Sequence, residues 1–135
     1  MRRQDSSDID ELKAWLVEET KPMDFTASWP QLLELRKMLG FTDQLSDKEQ
    51  IEEGRWVIHQ FNKLLKRVRT KVLSANTTDG AVLALEECYT ANESTSITQR
   101  QQLMYATLRQ QWVTAHIRAV IERYGEPEKE IEDYR

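Results

Sequence analysis

SDKEQIEEGRWVIHQFNKLLKRVRTKVLS, residues 46–74, is the stretch that decides the fold. Ser46 and Glu49 make a Ser-x-x-Glu capping box, in which each side chain satisfies a backbone N–H left open at a helix start. Behind it Ile51, Ile58, Phe61, Leu65, Val68 and Val72 recur at intervals of three, four or seven, so they share one stripe of a helix. The spacing predicts a long helix from Asp47 to Ser74. Gly54 falls on its apolar stripe, where glycine costs about 1 kcal/mol relative to alanine. A close crossing by a second helix would account for it.

On either side the chain reads as further capped helices. Ile9, Leu12, Trp15 and Leu16 form one face of a first helix that opens near Ser7 and stops before Pro22. Ser28-Trp29-Pro30-Gln31 fits a second capping box with proline in the first turn, leading into Leu32, Leu35, Met38 and Leu39 and closing at Gly40. Asn76 to Gly80 breaks the long helix. A shorter one is expected from about Asp79 to Ala91, with Leu85, Cys88 and Tyr89 among its apolar residues. Ser96-Ile97-Thr98-Gln99 then caps a last long helix ending at Tyr124, with Gly125 and Pro127 beyond.

No segment reads as a strand, and 135 residues suit a single domain. The expected architecture is an all-α bundle of about five helices with two long antiparallel helices, occupying residues 7–125. Residues 1–6 form a flexible N-terminus and 126–135 a charged flexible tail. The start of the chain has no apolar run of the kind a secretory signal carries, and no stretch approaches the roughly 18 apolar residues of a membrane span. Cys88 is the single cysteine, which suits a reducing compartment. An intracellular setting is expected: cytoplasm, or host cytosol or nucleus for a viral protein. Integral membrane insertion is not. The glycosylation patterns at Asn76 and Asn92 therefore mark loops.

The last helix carries two apolar stripes. Ile97, Met104, Leu108, Trp112, Ala115 and Ala119 lie on one side; Val113, Ile117, Val120 and Tyr124 lie on the other. A helix apolar on both sides must be covered on both sides. Neighbours within the bundle could do this. The alternative, favoured because no later helix follows, is a homodimer interface formed by Val113, Ile117, Val120 and Tyr124.

Charge is segregated more sharply than solubility requires. Between Gly54 and Thr78 stand six cations and no acid: Arg55, Lys63, Lys66, Arg67, Arg69 and Lys71. The chain totals 19 basic and 23 acidic residues, so the remainder balances at −10. Lys63, Lys66, Arg67 and Lys71 project opposite the apolar stripe, with His59, Asn62 and Thr70 among them. A basic ridge without acids at helical spacing points to an anionic partner. One reading is nucleic-acid backbone contact, RNA favoured, read by shape and without sequence preference. The other is a protein–protein adaptor, or an assembly or regulatory subunit such as a viral one, whose ridge meets an acidic protein or an anionic membrane surface.

Catalytic chemistry is not indicated, and the chain is expected not to be an enzyme. His59 and His116 stand apart with no ligand companion at metal spacing, so no metal or cofactor is expected. Cys88 lies in an apolar pattern that suits a buried thiol. Glu18-Glu19, Glu52-Glu53 and Glu86-Glu87 are adjacent pairs whose side chains diverge on a helix. Trp56, beside Arg55, suits a core or interface position better than a base-stacking platform.

Overall fold

The computed structural model describes residues 6–41, 45–87 and 98–125. Among them every regular element is helical: α1 (Ser6–Glu19), α2 (Phe25–Met38), α3 (Asp47–Ser74), α4 (Thr78–Glu87) and α5 (Gln99–Tyr124). The expectations for residues 1–5, Cys88, Tyr89, Asn92, the Ser96 cap, Ile97 and the 126–135 tail fall outside the described residues.

The capping chemistry fixes where each helix begins. Ser46 accepts from the Glu49 N–H and Glu49 accepts from the Ser46 N–H, so α3 starts at its expected box. α2 starts a turn earlier than its Ser28 box suggests. Asp24 accepts from the Ala27 N–H, and Pro30 therefore sits in the second turn. A proline there removes one intrahelical bond, to the Thr26 carbonyl, and Thr26 is exposed to water. α5 is capped by Thr98, reciprocally bonded with Gln101. Thr98-x-x-Gln101 is as good a box as Ser96-x-x-Gln99, and local pattern alone does not choose between them.

The end of α2 follows the sequence closely. Gly40 takes φ +76, Phe41 N–H bonds the Arg36 carbonyl and Gly40 N–H bonds the Lys37 carbonyl. This is a Schellman closure, and its left-handed position favours glycine.

α3 is the axis of the bundle. Val57, Phe61, Leu64, Leu65, Val68 and Val72 are all buried, and every other helix packs against α3. α1 runs antiparallel to it: Lys13 Nζ reaches the Leu73 carbonyl, Arg69 reaches the Thr20 carbonyl, and the Asn62 carboxamide closes two bonds with the Met23 backbone. α4 folds back along the C-terminal end of α3 after the short turn at 75–77.

The two long helices are parallel, contrary to the expected antiparallel pair. Glu53 meets Arg100, Trp56 meets Tyr105, and Phe61 meets Trp112. Partner numbers rise together along both helices, which only a parallel pair does. The cause is α4: it reverses the chain once, so α5 sets out in the direction of α3.

The second stripe of α5 is also corrected. Val113, Val120 and Tyr124 are 0%, 1% and 5% exposed within the single chain, and Ile117 packs against the same core. α1 reaches α5 here, bonding through Glu11 to the Tyr124 hydroxyl and through Glu19 to His116, and α3 and α4 pack along α5 as well. Of the four residues expected at a dimer interface, Val113, Val120 and Tyr124 are thus core residues and Ile117 is partly buried against them. Earlier helices of the chain, not a later one, supply their cover.

Gly54 lies at the α2–α3 crossing. A Cβ placed there would stand 3.0 Å from the Trp29 ring and 3.1 Å from both Leu32 and Phe25. Gly54→Val is therefore expected to lose about 1–3 kcal/mol through overpacking, despite removing a helix-weakening glycine. Urea unfolding followed by tryptophan fluorescence checks this; equal or greater stability would place the crossing elsewhere.

Candidate nucleic-acid interface

α3 spans 28 residues, about 42 Å of rigid rod. Because its apolar stripe is consumed by the bundle, whatever lies opposite must face water. Lys63, Lys66, Arg67, Thr70 and Lys71 are all exposed there and together line one open depression.

Arg55, Arg69 and Lys71 each contact another part of the bundle. The Arg55 guanidinium stacks 4.5 Å over the Phe25 ring. Arg69 is half-buried and donates to the Thr20 carbonyl at 3.4 Å, tying α3 to the end of α1. Lys71 pairs with Glu87 at 2.5 Å, across to the last residue of α4. That lysine, first by hydrogen bond and then by charge, holds the Glu87 carboxyl below its ordinary range. Both partners are about half exposed, so water screens the pair and it adds little to stability.

Lys63, Lys66 and Arg67 are the exposed centre of the ridge. His59, exposed one turn before Lys63, extends the polar face. Trp15, Trp29, Trp56 and Trp112 instead pack against the core, and Trp56 meets Tyr105 edge-on at 6.3 Å. The ridge is cationic and, among the described residues, without a tryptophan.

The sequence missed three polar junctions, all formed across long sequence separations. Glu53, only 4% exposed, binds Arg36 of α2 and Arg100 of α5, the latter at 2.5 Å. His116 bonds the Trp112 carbonyl through Nδ1 at 2.8 Å and meets Glu19 through Nε2 at 3.0 Å. Its ring stacks on Trp112 at 3.9 Å. This pair borders a cleft of about 300 Å³ lined also by Phe61, Leu65 and Leu108. The third is the Tyr124 hydroxyl, which donates to Glu11 at 2.8 Å, with Arg123 on the same carboxylate at 3.2 Å. No local spacing signals such pairs, since 97 residues separate Glu19 from His116 and 113 separate Glu11 from Tyr124.

Tyr124 sets an alkaline limit on stability. Burial, then the hydrogen bond and charge of Glu11, push its phenol from the ordinary 10 up to about 12, with Arg123 opposing. The folded state thus holds the proton more tightly than the unfolded chain. The contribution is complete below pH 10 and is lost as pH rises toward about 12. Tyr124→Phe, which has no proton to lose, should flatten that part of the stability–pH curve. Unfolding midpoints measured across this range check it, and an unchanged slope would contradict it.

Among the described residues no group of three or more His, Cys, Asp or Glu side chains could hold a metal ion, and no helix is long and apolar enough to cross a membrane. No protein-family model, curated protein or solved structure matches the chain.

Proposed function

We propose that the protein is a non-enzymatic binding protein whose α3 ridge contacts a nucleic-acid backbone, RNA in preference, without reading base sequence. The observation that carries this is the placement of Lys63, Lys66, Arg67 and Lys71 side by side on the exposed face of a rigid helix. Cations at turn spacing on a rod can each neutralise a phosphate and release its counterions. The rest of the chain is acidic, which confines that attraction to one face and disfavours general coating of nucleic acid.

One observation favours a second reading, an adaptor whose ridge meets an acidic protein. Lys71 already accommodates a carboxylate, that of Glu87. The absorbance ratio at 260 and 280 nm of the purified protein, before and after nuclease and a high-salt wash, separates the two. A ratio that starts high and falls supports nucleic acid. A protein that is clean from the start, and that ignores added RNA at low salt, belongs to the adaptor class.

A further inference from the structure

We infer that the ridge has an occupant within the chain itself: the acidic segment 126–135 docks on the exposed α3 cations and shields them until nucleic acid displaces it. The displacement, though not the docking, rests on the nucleic-acid reading. Charge selects the segment. Residues 126–135 carry Glu126, Glu128, Glu130, Glu132 and Asp133 against Lys129 and Arg135. The other segments outside the described residues, 1–5, 42–44 and 88–97, hold one acid each. Lys63 and Lys66 are exposed, and the residues three and four places from them on α3 include no acid.

Position brings the segment within reach. The long helices run parallel, so α5 ends beside the C-terminal end of α3. One stretch of α1 ties the two ends together: Glu11 accepts from the Tyr124 hydroxyl, and two residues on, Lys13 donates to the Leu73 carbonyl. From Leu73 back to Lys63 is ten residues of helix, about 15 Å. Ten extended residues beyond Gly125 span up to about 33 Å. That is enough to pass one helix, about 10–12 Å across, and still run the length of the ridge. Each exposed ion pair is weak on its own. A tethered segment nevertheless meets the ridge at an effective concentration on the order of millimolar. Weak pairs presented in this way form readily and yield to a phosphate backbone.

A carbodiimide tests the docking with no nucleic acid present, because it joins a lysine amine to a carboxylate only where the two touch. Mass spectrometry of the treated, digested full chain should find segment 126–135 joined to Lys63 or Lys66 in monomeric protein. The Lys71–Glu87 pair is the internal control. Absence of the first product while the control forms, or its appearance only in cross-linked dimers, would overturn the docking. Affinity for a labelled RNA duplex at low salt reads the displacement. Glu128→Gln, Glu130→Gln and Glu132→Gln together should tighten binding about tenfold over wild type. Asp10→Asn, Glu34→Gln and Glu122→Gln remove the same charge from exposed positions on other helices and should change the affinity far less. Circular dichroism should show both triple variants folded. Equal affinities in the two triple variants, or no gain in the first, would overturn the shielding. RNA that binds neither wild type nor the first variant would overturn the nucleic-acid reading, and the cross-link would still decide the docking.

Discussion

Glu53→Ala is expected to lose about 3–5 kcal/mol of stability, much of what a domain of this size has. The side chains of Glu53 and Arg36 are 4% and 8% exposed, so removing the carboxylate takes the buried counter-charge from a guanidinium in the core. Arg100, at the edge of the same junction, loses its bond to that carboxylate too. Removing Arg36 should cost less, because Glu53 would keep Arg100. Replacing Glu53 and Arg36 together by apolar residues of similar volume should cost less than Glu53→Ala alone, since no buried charge is then left unpaired. Lys71→Ala, which breaks a half-exposed pair, should stay close to wild type. Urea unfolding of the four variants checks the order. A Glu53→Ala protein within about 1 kcal/mol of wild type would mean that water reaches the junction.

Reversing Lys63, Lys66 and Arg67 together to glutamate should abolish nucleic-acid binding while the fold survives. All three side chains are exposed, and substitutions at such positions usually shift stability by no more than about 0.5 kcal/mol each. The loss for binding is larger. Each phosphate contact removed takes about 0.9 from the salt slope on a duplex, and three new negative charges repel the strand besides. Retained affinity in a folded triple variant would remove the ridge from the interface. Thermal unfolding of the same preparation shows whether the variant is folded.

What a sequence reveals of such a bundle depends on the range of the forces involved. Capping boxes and helical spacing are local, so α3, its start at Ser46 and the glycine closure at Gly40 are legible in the chain. So is the meaning of Gly54, because a glycine weakens a helix and leaves its apolar stripe unfilled unless another helix comes close. The direction of α5 is not legible, because helix order without the reversing effect of α4 leaves parallel and antiparallel packing open. The Val113, Ile117, Val120 and Tyr124 stripe looks like an outer surface as long as only later helices count as cover; earlier helices provide it, and α1 bonds to His116 and Tyr124 from more than ninety residues upstream. The basic ridge is legible as a charge pattern, but the attachment of its cations to the bundle is not. Arg55 over Phe25, Arg69 on Thr20 and Lys71 on Glu87 are tertiary contacts that no local spacing announces.

The salt dependence of wild-type binding tests the functional claim most directly. Fluorescence anisotropy of a labelled RNA duplex, repeated over a series of salt concentrations, gives the slope of log affinity against log salt. With Lys63, Lys66, Arg67 and Lys71 each neutralising one phosphate, the slope should be about −3.6. No binding at low salt, or a slope near zero, would contradict the ridge as a phosphate-binding surface.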